Sequence, residues 1–180
     1  MNSLQWLKRK LGVTSKADRR DDWPCVVLLL EKPFFPSPKE AVQTGQASWG
    51  AHAPVELMSV ANGGNSYILT SGTFVFSVNV GSGQYGPEGQ EPSEAQQRPW
   101  DEHRAWLSID APTANVEKLR QSKSLGGVYQ LLLVYALKSW SPNCLGIYFP
   151  CEGVTLPNLG ELSLSLQWGR QNGINLSFLK

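Results

Sequence analysis

The sequence predicts an α+β fold, in which an antiparallel or mixed sheet carries two main helices packed on one face. Short apolar runs, of which residues 25–31 (CVVLLLE) are the clearest, are typical of strands. Two longer segments have apolar residues at helical spacing, and between them lie strands joined by glycine-rich turns. This grouping favours separate layers over strict strand–helix alternation. The expected order is β-α-β-β-β-α-β, preceded by a short N-terminal helix.

The size and composition fit one domain. The 180 residues are 41% hydrophobic and 17% charged, which argues against disorder throughout the chain. We expect a single α+β domain at 23–180, of which 151–180 is a tail, after a basic amphipathic leader and linker at 1–22. The formal net charge is only +1, so no overall electrostatic field draws the chain to nucleic acid.

The N-terminal segment carries a strong local charge. Residues 1–20 hold six basic side chains and one acidic side chain, and Leu4, Leu7 and Leu11 lie at helical spacing. A basic amphipathic helix could touch an anionic membrane or RNA. The simpler interpretation is a mobile leader with a solvated basic face. Membrane contact is therefore expected only through residues 1–20.

No segment of the sequence indicates export. The longest strongly apolar run, 131–137, is far shorter than the roughly 20 residues of a transmembrane helix. The first residues lack the apolar core of a signal peptide. The three cysteines, an odd number, do not follow a disulfide framework; they are Cys25, Cys144 and Cys151. We expect a reduced, cytoplasmic protein.

The first half of the chain has clear element boundaries. The strand at 25–31 is apolar at successive positions, as in a strand buried on both faces. Residues 37–40 (SPKE) form a capping box with proline in the first turn, and the helix that follows ends at Gly50. Further strands are predicted at 55–60, 67–70 and 73–80.

The second half is expected to hold a long loop, a strand and a central helix. Residues 81–99 are rich in glycine and proline and predict a mobile loop, whereas 104–111 alternate as a strand. A helix is predicted from 116 to 135, with Gly126-Gly127 able to split it or to admit another backbone. A strand follows at 144–149. An added edge strand is indicated by alternation of Leu162, Leu164 and Leu166.

The candidate chemistry centres on His103, which Asp101 and Glu102 precede. A histidine beside carboxylates can serve as a general base or a metal ligand. Because neighbours on a strand face opposite sides, Asp101 but not Glu102 would share a face with His103. Two ligands do not close a metal site. The simpler alternative is a structural, hydrogen-bonded histidine at the start of the strand.

No catalytic residue, metal ligand or cofactor is assigned from the sequence. It contains no nucleophile elbow, zinc-binding H-E-x-x-H pair, Walker loop or calcium loop. The glycines at 81–86 are followed by a polar segment, not by a helix whose N-terminus could hold phosphate. None of the cysteines lies at an evident helix N-terminus, where its pKa would fall.

Several segments together resemble a known family. The apolar strand 26–31, the helix ending at Trp49-Gly50, the strand 73–80 and residues 100–109 (WDEHRAWLSI) precede a long apolar helix and a strand at 145–148 (LGIY). This combination, with its histidine-any-alanine strand, resembles an uncharacterised bacterial family known as a domain of unknown function. The resemblance covers residues 24–150. It implies an α+β fold and brings no activity or site residues.

Two classes of function are left open. The surplus of aromatic residues, seven of them tryptophans, favours a non-enzymatic protein-interaction domain that binds a protein partner or itself. Trp23, Trp100 and Trp168 are expected to be partly exposed. The alternative is a small-ligand binder or enzyme with a pocket around His103, although no small molecule is identified. The speculative binding residues are Trp23, Trp100, Asp101, Glu102 and His103.

Overall fold

The computed structural model describes residues 23–51, 53–85, 97–139 and 142–180, and it confirms the α+β class. The strands are β1 (Cys25–Leu30), β2 (Val55–Ala61), β3 (Ser66–Ser71), β4 (Phe74–Ser82), β5 (Ala105–Asp110), β6 (Cys144–Phe149) and β7 (Val154–Pro157). The helices are α1 (Pro38–Trp49), α2 (Gln97–Glu102), α3 (Val116–Gln121), α4 (Leu125–Lys138) and α5 (Leu162–Gln171). The predicted leader and linker at 1–22 lie outside the described residues.

The seven strands of the described residues form one sheet in which every pairing is antiparallel. Its order is β2-β3-β4-β5-β1-β6-β7, so β1 lies between β5 and β6, far from β2. All six residues of β1 are buried, which confirms the prediction of a strand covered on both faces. β2 and β7 form the two edges of this sheet.

Helices α1 and α4 pack together over one face of the sheet, as predicted. The predicted capping box is present, since the Ser37 hydroxyl accepts from the Glu40 N–H and the Glu40 carboxylate accepts from the Ser37 N–H. At the other end of α1, the Trp49 indole stacks on Phe76 at 3.9 Å and donates to the Leu131 carbonyl at 2.9 Å. Trp49 thereby joins α1, α4 and the sheet in the main core.

The order of elements is richer than the predicted β-α-β-β-β-α-β. Four strands rather than three follow α1 before α3, and β7 and α5 follow β6. The prediction of an edge strand at 162–166 is wrong, because these residues begin α5. Leu162 and Leu166 are one helical turn apart and pack on the core, and Gly169, one turn further, lies against Leu156 of β7. Leu164 points away and is 46% exposed.

The predicted loop at 81–99 is shorter at both ends. β4 continues to Ser82 because Gly81, which has no Cβ, leaves room for the ring of Trp106 on the neighbouring strand. At the other end, residues 97–102 form α2 rather than loop. The middle of the predicted loop, 86–96, lies outside the described residues.

The predicted helix at 116–135 is divided into α3 and α4. The break falls at residues 122–124, where Lys123 has a φ of 57°, and not at Gly126-Gly127. Gly126-Gly127 was also predicted to admit another backbone, and Gly126 does so. A Cβ on Gly126 would lie 2.8 Å from the main-chain carbon of Lys180. The C-terminal segment therefore packs directly on the first turn of α4.

Candidate functional site

His103 lies between α2 and β5 and is only 1% exposed. Its Nδ1 lies 3.0 Å from the Pro99 carbonyl oxygen and 2.8 Å from the Trp100 carbonyl oxygen, while Nε2 accepts from the Tyr85 N–H at 2.8 Å. These partners require a neutral ring with its proton on Nδ1. Burial lowers the pKa of His103 and favours the same neutral form. Main-chain groups thus engage both ring nitrogens, in keeping with the structural alternative.

The two carboxylates beside His103 do not converge on it. Because residues 97–102 are helical, the expectation that Asp101 and His103 share one face of a strand is wrong. The Asp101 carboxylate accepts from the Gln97 side chain at 3.0 Å, and Glu102 pairs with Arg98 at 3.0 Å. Both contacts are exposed pairs one helical turn apart. The structure therefore directs these charges to solvent.

Trp100 belongs to a second cluster, on the sheet face opposite α1 and α4. We call it the outer cluster; it consists of Cys25, Val27, Leu29, Tyr85 and Tyr148, with Trp100 and Trp106 packed against them. Trp100 meets Tyr148 edge-on at 4.8 Å and donates to the Thr155 hydroxyl at 2.9 Å. By holding Tyr85, His103 closes this cluster. Trp100 and His103 thus contribute to packing.

Trp23 is not brought near His103. It precedes the Cys25 end of β1, whereas Arg104, next to His103, donates its N–H to Leu30 at the other end. Trp23, Trp100 and Trp168 are each partly exposed, which confirms that expectation. The Trp23 carbonyl accepts from the Cys151 thiol at 2.9 Å. The five predicted binding residues therefore do not form one site.

The Cys144 thiol is unsuited to thiolate chemistry. No disulfide joins any of the three cysteines. Burial raises the pKa of the Cys144 thiol to about 12, so this thiol stays protonated at neutral pH. In the described part of the chain, no group of three or more His, Cys, Asp or Glu side chains is arranged to hold a metal ion.

The part of the outer face beside the outer cluster is polar. Asn79 of β4 donates to Asp110 at 2.8 Å and to Ser77 at 3.0 Å, and it accepts from Ser66 at 2.5 Å. Ser108 also donates to Asp110, at 3.1 Å. These side chains satisfy one another across β3, β4 and β5, so this surface offers little apolar area to a partner.

The edge strand β2 has a different character. Leu57, Met58 and Val60 are 37%, 50% and 45% exposed, and Glu56 is the only charged residue in the strand. Among the described residues, no strand pairs with the far edge of β2. We call this far edge, with the side chains of Leu57, Met58 and Val60, the β2 edge. Lysine, which often protects edge strands from pairing, is absent from it.

The β2 edge contains a bulge. The register with β3 shifts between Leu57 and Ser59, which leaves Met58 as an extra residue. Leu57 lies opposite Leu69 and Val60 lies opposite Tyr67, both on the face that carries α1. The side chains of Leu57 and Val60 thus lie beside the main core.

Two further exposed aromatic residues lie in the connection between β1 and α1. Phe34 and Phe35 are both exposed, and the next residue, Pro36, accepts a hydrogen bond from the Tyr67 hydroxyl. Because Tyr67 lies opposite Val60, this hydrogen bond brings the connection over the end of the sheet that includes the β2 edge.

The opposite edge strand, β7, is protected. It has only four residues, ends at Pro157, and its first three residues are buried. Helix α5 packs against it. Short length, proline and a covering helix are the usual means by which proteins block an edge. The two edges of this sheet are therefore unequal, and only β2 presents an exposed apolar strand.

The chain matches no protein-family model, no curated protein and no solved structure. The resemblance to an uncharacterised bacterial family therefore stays a prediction. None of the helices within the described ranges combines the length and apolar character needed to cross a membrane.

The β2 edge was not among the predicted site residues. The sequence does carry one signal. The β2 strand, VELMSVA, contains Leu57, Met58 and Val60 but no lysine or arginine. That signal becomes meaningful only when the strand is known to lie at an edge, and the edge follows from the order of the whole sheet.

Proposed function

We propose that this chain is a non-enzymatic protein-interaction domain whose β2 edge receives an extended segment of a partner protein. In this mode of recognition, main-chain hydrogen bonds supply affinity and neighbouring apolar side chains supply specificity. The observation that carries the proposal is the exposure of Leu57, Met58 and Val60 on an edge that has no lysine and that no strand of the described residues pairs with. A reduced, cytoplasmic location belongs to the proposal, and it is consistent with three cysteines that no disulfide joins.

The alternative, a ligand site or active site around His103, receives less support. Its ring nitrogens are engaged by Tyr85, Pro99 and Trp100, while Asp101 and Glu102 face solvent. A general base needs a free nitrogen within reach of a substrate proton. We therefore favour the interaction surface.

The test compares wild-type protein with Leu57→Lys/Val60→Lys, which places two cations on the β2 edge. Tagged proteins are incubated with extract of the source cell, and bound proteins are identified and quantified. We expect the double variant to capture at least ten-fold less protein specifically than the wild type, because an added strand would have to bury both ammonium groups. The amount of each other captured protein is compared with the amount of untagged copies of this chain that are captured.

Leu164→Lys is the matched control. Leu164 is as exposed as Val60, but it lies on α5, beside the opposite edge of the sheet. This variant is expected to retain capture. Equal capture by all three proteins would overturn the proposal. It would also be overturned if the wild type captured neither an extract protein nor a further copy of this chain above background.

A further inference from the structure

Residues 83–85 lie between the end of β4 and His103. The Gly83 N–H donates to the Arg104 carbonyl at 2.7 Å, and two residues later the Tyr85 N–H donates to Nε2 of His103 at 2.8 Å. Gly83 has a φ of 88°, a left-handed conformation that glycine enters and leaves at little steric cost. The main chain can therefore bend at Gly83 without disturbing β4.

Tyr85 covers the aromatic part of the outer cluster. Its buried ring meets the ring of Trp106 edge-on at 5.2 Å and the ring of Tyr148 edge-on at 6.1 Å. Moving Tyr85 away would uncover both of these rings. The position of Tyr85 therefore decides whether this face of the sheet presents an aromatic surface to solvent.

The hydrogen bond that holds the Tyr85 main chain requires a neutral imidazole. His103 faces the carbonyl oxygens of Pro99 and Trp100 with Nδ1 and accepts from Tyr85 with Nε2. A protonated ring would keep its contacts with the two carbonyl groups, but it would present a second N–H to the Tyr85 N–H, and two donors repel. Protonation therefore breaks the Tyr85 contact and spares the contacts with α2.

We infer that His103 is a pH-sensitive latch, which releases Tyr85 on protonation and so opens the outer cluster while the sheet stays folded. This inference goes beyond the proposed function and does not depend on the β2 edge. The latch keeps the rings of Trp106 and Tyr148 covered at neutral pH and uncovers them in acid.

The charges around His103 favour this response. The charged and titratable side chains on the elements next to it are those of Glu31, Tyr85, Arg98, Asp101, Glu102, Arg104 and Tyr148. Asp101 and Glu102 contact other side chains of α2, whereas the Arg104 guanidinium donates to the Asp101 and His103 carbonyl groups at 2.7 and 2.8 Å. Burial and the charge of Arg104 both lower the pKa of His103. The closed form thus stays neutral at a pH where an exposed imidazole takes up a proton.

Hydrogen exchange at the Tyr85 amide tests the latch in the wild type. If only the open form takes up the proton, with the ordinary histidine pKa of about 6.5, the ratio of open to closed molecules should rise about thirty-fold from pH 7.5 to pH 5.0. The protection factor of the Tyr85 amide, which corrects for the intrinsic exchange rate at each pH, should fall by the same factor. A protection factor that does not change with pH would overturn the inference.

Low concentrations of urea distinguish local opening from unfolding of the domain. A local opening exposes little surface, so exchange through it is insensitive to urea, whereas exchange through global unfolding accelerates. We expect the Tyr85 amide to be insensitive and the amide of Leu28, in the middle of β1, to accelerate. Equal protection and equal urea dependence at the two amides would show that only global unfolding releases Tyr85, and the latch would be wrong.

His103→Gln removes the titrating group. The glutamine side-chain oxygen can accept from the Tyr85 N–H at every pH, so protection of this amide should change less than about three-fold between pH 7.5 and pH 5.0. His52→Gln is the matched control and should keep the decrease seen in the wild type. An undiminished decrease in His103→Gln would assign the titration to another group.

Nitrogen NMR of the wild type decides the matter if His103→Gln does not fold. The Nε2 signal of His103 and the amide signal of Tyr85 should shift with one common midpoint, because one proton drives both changes. A Tyr85 amide signal that stays constant while His103 titrates would contradict the release of Tyr85.

Discussion

His103 illustrates how a residue type associated with catalysis is used for packing. Its imidazole links a turn of α2 to Tyr85, and through Tyr85 it closes the outer cluster. Replacing it removes the ring's hydrogen bonds to the Tyr85 N–H and the Trp100 carbonyl, which typically costs about 1–3 kcal/mol for each group left unsatisfied, whereas the Pro99 carbonyl keeps its hydrogen bond from the main-chain N–H of residue 103. The sequence allowed the structural interpretation of His103, but it did not identify Tyr85 as the partner, because the two residues are 18 positions apart and the segment between them includes a predicted loop.

The buried imidazole predicts a pH dependence of stability. Burial lowers the pKa of His103 in the folded protein, whereas an unfolded chain titrates histidine at about 6.5. The unfolded chain therefore binds the proton more readily, and stability falls as the pH drops below the unfolded pKa toward the folded one. We expect the urea midpoint to decrease between pH 7 and pH 5.5, and the decrease to be smaller in His103→Asn.

The second histidine of the sequence provides the control for this pH experiment. His52→Gln should keep the decrease seen in the wild type. If His103→Asn shows the same slope with pH as the wild type, the imidazole is not the titrating group.

Among the elements, α1 and β1 were predictable because their signals are local. The capping box at Ser37 and Glu40 marks the start of α1, and six successive apolar residues mark β1. Helix α5 was not predictable from alternation. In LSLSL, leucines two apart also include a pair four apart, Leu162 and Leu166, so five residues fit a strand and a helix equally well. Contact with β7 decides between them.

The first turn of α4 predicts opposite effects for two neighbouring glycines. Gly126→Ala would push a methyl group into the Lys180 main chain, and we expect a loss of about 1–3 kcal/mol in the free energy of unfolding. A Cβ on Gly127 meets nothing within 4 Å. Gly127→Ala should therefore stabilise the protein by about 0.5–1 kcal/mol through helix propensity.

Urea unfolding of both variants measures this difference. Displacing Lys180 should also loosen Phe178, which packs against Tyr129 at 5.2 Å and Phe149 at 5.1 Å. Similar midpoints for the two alanine variants would show that the C-terminal segment does not rest on Gly126 in solution.

At the scale of the molecule, the arrangement of the sheet was the part that local patterns could not reveal. β1 pairs with β5 and β6, its partners over 70 residues away in sequence, and no spacing in the sequence encodes that choice. The edges follow from the same order. For this reason the sequence predicted the layers and the central strand, while the β2 edge emerged only from the assembled fold.

The two-sided burial of β1 predicts that both sheet faces contribute to stability. Leu28 lies in the main core and Leu29 in the outer cluster, and both are fully buried. Leu28→Ala and Leu29→Ala should each cost about 2–5 kcal/mol. Ile68→Ala, on the half-buried outer face of β3, should cost less than half as much.

Denaturant unfolding of the three alanine variants tests this arrangement. A Leu29 variant no less stable than the Ile68 variant would mean that the outer cluster is open to solvent and that the sheet has a single core.

The inequality of the two sheet edges limits how far assembly can proceed. A partner strand received at the β2 edge would occupy the open edge of the described sheet, and the other end of that sheet is β7, which is short, ends in proline and is covered by α5. Chains with two open edges can add copies indefinitely and form fibres. Under the proposed function, growth therefore stops after one addition, and rising partner concentration saturates a complex of fixed stoichiometry instead of extending a polymer.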